Sequence, residues 1–296
     1  MSEPALHFTD CPDASGTHRM AWWQWGPDTA PHVIVCAHGL SRQGRDFDTL
    51  AQALLARAAS GTLRVVCPDV VGRGRSDWLT DPAGYQIPTY AADMLRLIAE
   101  LHPTTLDWVG TSMGGLIGMA LCGRGLIHAR KLVLNDVGPV IQWEAVQRIG
   151  QYLGKAMHFA SLEQAADALW AISTGFGPHT REQWLALTRP MLKPAADGGV
   201  TLHYDPAIAQ PFGAITPEKA AQDEATLWQL YDAIRADTLL LRGAESDLLN
   251  ADTAHTMTQR GPHARLVTFD GVGHAPTLIA AEQVQAVCDF LLEEPA

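Results

Sequence analysis

Leu106-Asp107-Trp108-Val109-Gly110-Thr111-Ser112-Met113-Gly114-Gly115-Leu116-Ile117 is the stretch from which the fold can be read. An apolar run from Thr105 to Gly110 predicts a strand, and the small and apolar residues from Met113 to Cys122 predict a helix. Between them, Gly-x-Ser-x-Gly predicts a turn so tight that Ser112 is held in a strained backbone conformation. Gly110 and Gly114 lack the Cβ atoms that would collide across it. Ser112 then projects beyond the end of the sheet, at the positive end of the following helix. The five-residue pattern alone is a moderate signal, because a glycine-rich turn with an incidental serine shows it too. The strand–turn–helix setting makes Ser112 a candidate nucleophile.

On either side, short apolar runs alternate with helical patterns, the signature of an α/β fold with a mostly parallel sheet. His32–Ala37, Leu63–Cys67, Lys131–Asn135, Thr238–Arg242 and Arg265–Phe269 predict strands. Helical spacing predicts helices over Phe47–Ala58, Tyr90–Leu101, Ala251–Arg260 and Ala281–Leu292. Leu6–Trp25, with Gly16 near its centre, suits an antiparallel hairpin at the sheet edge. The alternation breaks at Val137–Ala233, where helical patterns dominate (Trp143–Leu153, Leu162–Ile172, Arg181–Met191, Pro217–Ile234) and only Val200–Tyr204 looks strand-like. Residues 1–136 and 234–296 are thus expected to form a core, and 137–233 a helical cap inserted after the sixth strand. Tryptophans of that segment, Trp143 and Trp170 among them, and its leucines are expected to wall an apolar pocket above Ser112.

A serine hydroxyl is a weak nucleophile and needs a base, itself oriented by a carboxylate. His274, in Gly271-Val-Gly-His274-Ala-Pro276, and Asp247, in Arg242-Gly-Ala-Glu-Ser-Asp247, follow Ser112 in the chain order Ser, acid, His. Both lie just past predicted strands, where open α/β sheets build their sites. Acyl transfer also needs donors for the developing oxyanion. The Leu40 N–H, presented by a turn at Gly39 in His38-Gly39-Leu40-Ser41, and the Met113 N–H are expected to supply them. His38 precedes the serine and is read as a loop-packing residue.

The chain of 296 residues carries a formal charge of −11 with no local cluster of Lys and Arg, which argues against nucleic acid. Met1–Pro12 has no apolar segment of the kind a secretory signal needs, and no run approaches the roughly 20 apolar residues of a membrane span. Five cysteines, odd in number and widely spaced, predict a reduced cytoplasmic protein without disulfides. No Cys/His spacing predicts a metal, and Gly72-Arg-Gly74 alone is no dinucleotide fingerprint, so no cofactor is expected.

Together these motifs resemble the α/β-hydrolase superfamily over nearly the whole chain. The resemblance runs from His38-Gly39 through Asp69-Val-Val-Gly72-Arg-Gly74-Arg-Ser76 and Gly110-Thr-Ser-Met-Gly-Gly115 to Gly273-His274. The Asp69–Ser76 turn is a hallmark of that family and is read as structural. Leu134-Asn-Asp136-Val-Gly-Pro139 is similar to a bacterial subgroup of hydrolases and esterases. One departure stands out: family members often show Gly-x-x-Asp at the acid turn, whereas Gly243-Ala-Glu-Ser-Asp247 is one residue longer. That leaves Glu245 as a competitor for the acid's place, and Asp136, at the end of the sixth strand, is a more serious one, since some relatives take their acid from that position. The resemblance implies a serine hydrolase that cleaves a small carboxylic ester or lactone through an acyl-enzyme. Carbon–carbon bond hydrolases and perhydrolase-type enzymes share the same three residue types. Haloalkane dehalogenases and epoxide hydrolases would need Asp at position 112. A small-molecule receptor of the same fold is the alternative from outside enzymology.

Overall fold

The computed structural model describes residues 3–13, 16–196, 198–213 and 216–293. Met1 and Ser2, which begin the N-terminal stretch considered above, and the last three residues of the second core part lie outside them.

The hairpin β1 (Ala5–Asp13) and β2 (Gly16–Trp25) opens the chain, followed by β3 (His32–Ala37), α1 (Asp48–Arg57), β4 (Leu63–Pro68) and α2 (Ile87–Leu101). Next come β5 (Thr105–Thr111), α3 (Met113–Gly123) and β6 (Lys131–Asn135). The sheet resumes only at β10 (Asp237–Gly243), and α9 (Ala251–Gln259), β11 (Arg265–Phe269) and α10 (Ala281–Leu292) complete it. Eight strands lie in the order β1-β2-β4-β3-β5-β6-β10-β11. The pairings of β1 with β2 and of β2 with β4 are antiparallel, while β4 through β11 run parallel.

The central strands β3, β4 and β6 are buried almost throughout because helices cover both faces, as a parallel sheet requires. One apolar cluster, around Met94, Trp108, Ile117 and Leu134, fills the face under α2 and α3. The other, around Ile34, Leu50, Val109 and Phe290, fills the face under α1 and α10. The small residues of α3 let its backbone settle onto the sheet. A Cβ on Gly114 would overlap the Ala37 carbonyl, and one on Gly118 would overlap the Trp108 indole.

The hairpin is fastened to α2 by a buried His18, whose ring nitrogens lie 2.8 Å from Asp13 and 3.0 Å from Asp93. Burial alone would lower its pKa, but the bonds to Asp93 and Asp13 outweigh that and raise it.

Between β6 and β10 the chain runs through α4 (Trp143–Gly150), β7 (His158–Phe159), α5 (Leu162–Ala171), α6 (Arg181–Thr188), β8 (Leu192–Pro194), β9 (Val200–Leu202), α7 (Ala209–Gly213) and α8 (Pro217–Asp232). A small antiparallel sheet, β7-β9-β8, joins these helices. Only β9 had a sequence counterpart, since strands of two or three residues are too short to show alternation. The segment is sewn to the core at the Asp69–Ser76 turn. There Gly74 N–H donates to His203 O at 2.9 Å and Asp205 N–H to Gly72 O at 2.7 Å.

Candidate active site

Parallel strands deliver their carboxyl ends to one edge of the sheet, and the candidate residues collect there. Ser112 sits between β5 and α3 with φ 51° and ψ −115°, a left-handed conformation that a side chain adopts only when its surroundings impose it. The imposition is visible. Its N–H donates to Asn135 O at 3.0 Å, and its carbonyl accepts from Gly115 at 2.9 Å. A Cβ on Gly110 would overlap the Gly114 carbonyl.

Ser112 Oγ lies 3.0 Å from His274 Nε2, and His274 Nδ1 lies 2.7 Å from Asp136 Oδ2. Asn135 braces both loops, its amide donating to Thr111 Oγ1 at 3.0 Å and to Pro276 O at 2.8 Å. Asp136 is fully buried, at the end of β6. Its N–H extends the ladder to Leu241 O at 2.9 Å, and its φ of 56° turns the side chain across the top of β10. There Oδ1 accepts from Gly243 N–H at 2.9 Å, and Oδ2 accepts from Ser246 Oγ at 2.5 Å as well as from the imidazole.

The expectation that Asp247 orients the histidine is therefore corrected: Asp136 holds that position. Counted from Gly243, the Gly-x-x-Asp spacing falls on Ser246, whose hydroxyl donates to the carboxylate instead of replacing it. The extra residue carries Asp247 past the imidazole to a partly exposed place on the cavity wall, where Arg148, also lining the cavity, grips it at 2.6 and 2.9 Å. Glu245 reaches the cavity wall, and no bond joins it to His274 among the described residues. The signal for Asp136 in the sequence was its place at the end of the sixth strand, a position from which some members of the family take their acid; the longer turn at Gly243–Asp247 was a departure from the usual spacing beside it.

Of the two expected oxyanion donors, Leu40 lines the cavity together with Ser112, and Met113 follows Ser112 in the chain. Among the described residues neither the Leu40 nor the Met113 N–H has a protein acceptor, and Met113 opens α3, where the first amides have no partner within the helix. Gly39 differs from expectation in one respect. Its φ is not positive and an added Cβ would make only ordinary contacts, so the turn does not itself demand glycine. The fully buried His38 packs the loop from behind, accepting the Val70 N–H at Nε2 (2.9 Å) and contacting Gly39 O through Nδ1 (2.7 Å). Burial, with Arg73 and Arg42 adding to it, pushes its pKa down to about 3, so this imidazole stays neutral.

Above Ser112 is a cavity of about 540 Å³, within the range of small-molecule sites. The segment between β6 and β10 supplies its roof, with Ile149, Met157, Leu169, Ile172, Leu187 and Leu202 as apolar wall and Gln151, Tyr152, Ser173 and Thr174 as polar positions. The expectation that Trp143 and Trp170 wall the pocket is not met; neither lines it. Trp170 instead packs edge-on against Trp184, 5.0 Å between ring centres, and Trp184 donates to Ala166 O at 2.7 Å. These rings stiffen the roof from within. Trp184 is buried and Trp170 half-buried in this packing, and neither lines the cavity.

One group of possible metal ligands, Cys11, His18 and Asp93, lies under the hairpin outside the cavity lining. Both His18 nitrogens are already bonded to carboxylates there. Among the described residues no helix is long and apolar enough to cross a membrane.

Residues 34–289 match the sequence profile of the alpha/beta hydrolase family. The chain belongs to that family. It is 49% identical to a 3-hydroxybutyrate-oligomer hydrolase from Cupriavidus necator, with 98% of each chain covered. A 2-hydroxymuconate semialdehyde hydrolase from a Pseudomonas species is 27% identical over 79% of this chain and 78% of the other. The crystal structure of an alpha/beta hydrolase from Novosphingobium aromaticivorans, 34% identical, superposes with a TM-score of 0.85 over 99% of both chains. The expectation of a hydrolytic enzyme acting on ester bonds is met by this kinship.

Proposed function

We propose that the chain is a serine esterase that cleaves short hydroxyacyl oligoesters, 3-hydroxybutyrate oligomers foremost, through an acyl-enzyme on Ser112. The observation that carries this reading is the continuous relay Ser112–His274–Asp136 on the cavity floor, at 3.0 and 2.7 Å. His274 Nε2 takes the hydroxyl proton as Ser112 Oγ attacks the ester carbonyl carbon. Asp136 holds the Nδ1–H tautomer and offsets the imidazolium charge. The Leu40 and Met113 N–H groups receive the oxyanion. His274 then gives its proton to the leaving alkoxide, and the freed hydroxy-terminated product departs. Water, deprotonated by the same imidazole, attacks the acyl group, and collapse of the second tetrahedral intermediate returns the acid and the free serine.

The substrate class rests on the likeness to the Cupriavidus necator hydrolase and on the cavity's character. Its volume suits a chain of a few units, and a wall mixing leucines with Gln151, Tyr152 and Thr174 suits a ligand that alternates methyl groups with ester oxygens. Residues 137–233 act in this reading as a substrate-selecting cap. The five cysteines are free and buried, which suits a reducing cytoplasm.

The test is a panel of 3-hydroxybutyrate dimer and trimer, short p-nitrophenyl esters, lactones and 2-hydroxymuconate semialdehyde, run alongside fluorophosphonate labelling. A fluorophosphonate adduct on the Ser112 peptide, with the oligomers turned over best, is the expected result. An unlabelled Ser112, or preference for the semialdehyde, overturns it; the likeness to the Pseudomonas enzyme favours that second reading.

A further inference from the structure

The Asp69–Ser76 turn is largely structural. Asp69 accepts from the Gly44 N–H at 2.7 Å and the Arg75 N–H at 2.8 Å, tying three loops together. Arg73, in the middle of the turn, has a different setting. Its side chain is wholly buried. Nε donates to Leu40 O at 2.8 Å, Nη1 to Val71 O at 2.7 Å and to Tyr90 Oη at 3.0 Å, and Nη2 faces Met113 Sδ at 3.7 Å. None of these partners is a carboxylate, and among the described residues no ion pair involves Arg73. Its charge is met by carbonyl dipoles, the Tyr90 hydroxyl, the Met113 sulfur and the rings of Tyr90 and Tyr85, 5.0 and 5.7 Å away. A buried cation without a counter-ion is unfavourable for stability alone.

What distinguishes this guanidinium is whom it holds. Leu40 and Met113 are the residues expected to supply the oxyanion donors, and among the described residues neither N–H has a protein acceptor. Arg73 touches both without lining the cavity itself. Its own backbone is pinned on either side, by the bonds of Gly72 and Gly74 to the roof segment and by a bridge to Tyr204. The charge is therefore held in a fixed place.

We propose that Arg73 is a positioning residue for the oxyanion hole. It holds the Leu40 carbonyl so that the preceding peptide keeps its N–H directed at the reacting carbonyl. Its uncompensated charge, fixed before the reaction begins, favours the negative charge that develops there. This inference rests on the serine-esterase reading given above.

The experiment compares wild type with Arg73→Met and Arg73→Lys on a p-nitrophenyl ester, and measures the affinity of an alkylboronic acid, whose adduct on Ser112 is a tetrahedral anion. Losing an oxyanion donor outright costs about 10²–10³-fold, so a group acting behind the donors should cost about 10–100-fold in kcat. Arg73→Met is expected to lose that much in kcat and in boronate affinity together, with KM within about threefold of wild type. Arg73→Lys, which keeps the charge, should recover part of the loss. The carbonyl stretch of the acyl-enzyme should move to higher frequency in both variants as the hole loosens. Folded Arg73→Met with kcat and boronate affinity near wild type overturns the proposal, as does a loss confined to KM and thermal stability. If Arg73→Met does not fold, Arg73→Lys decides: an unchanged carbonyl stretch and acylation rate refute the role. A wild-type protein that neither forms a fluorophosphonate adduct nor cleaves esters refutes the esterase reading itself, a result obtained before any Arg73 variant is compared.

Discussion

Replacing Asp136 by Asn separates the two candidate acids. The Asp136 carboxylate accepts from three donors, Gly243 N–H, Ser246 Oγ and His274 Nδ1. An amide has one acceptor atom, so one side must fail. If its NH₂ takes the Oδ1 place it opposes the Gly243 N–H, two donors face to face in a buried site. If it takes the Oδ2 place it donates to His274 Nδ1 and forces the proton onto Nε2, where the imidazole can no longer accept from Ser112 Oγ. The first arrangement leaves an unmatched buried donor, destabilising by about 1–3 kcal/mol. The second removes the general base. The corresponding change in a serine protease lowers kcat about 10⁴-fold, or about 5.4 kcal/mol at 1.36 kcal/mol per decade. Asp247→Asn removes only a partly exposed ion pair with Arg148, of the kind that contributes about 0.2–1 kcal/mol to stability, and should leave kcat within about threefold. Steady-state hydrolysis of a p-nitrophenyl ester and of a 3-hydroxybutyrate dimer, with thermal unfolding as the control for folding, measures both. A folded Asp136→Asn that retains more than about a tenth of wild-type kcat, or a greater loss in Asp247→Asn, refutes the assignment.

Ser112→Ala should abolish turnover and the fluorophosphonate adduct while leaving the melting temperature near wild type, because one part-buried oxygen is removed from a turn that glycines and β6 already shape. The neutral, buried His38 makes a pH prediction. Its folded pKa lies below the unfolded value of about 6.5, so as pH falls from there toward 3 the unfolded state takes up a proton that the folded state refuses. Stability should fall by up to about 1.4 kcal/mol per pH unit over that window from this group alone, and urea titrations at several pH values should show a shallower slope in His38→Gln. In the roof, Leu169→Ala should alter the ranking of esters by chain length because Leu169 lines the cavity, and competition assays read this directly. Trp184→Phe should instead lower stability by about 1–3 kcal/mol, through the lost indole bond to the Ala166 carbonyl and lost packing, with the ranking preserved.

Much of this protein was legible in its sequence because the determining patterns are local. A buried parallel strand is an apolar run, an amphipathic or small-residue helix has a period, and the serine turn requires glycine at defined neighbours. Hence β3, β6 and β11 fall where the residues predict, and Ser112 and His274 stand together as expected. The roof tryptophans and the acid were different. Whether Trp170 faces the cavity or another ring depends on how thin helices stack, which no single helix records. The acid depended on the order of strands across the sheet. Because β6 lies beside β10 and β11 lies beyond it, a residue that ends β6 with positive φ can reach the imidazole across the top of β10. A turn one residue longer than usual then presents a serine to that carboxylate and turns its aspartate toward Arg148. Along the chain, Asp136 and Asp247 are both carboxylates just past the end of a strand. Only the packing of strands in space, which fixes the direction of each side chain to within one hydrogen bond, distinguishes them.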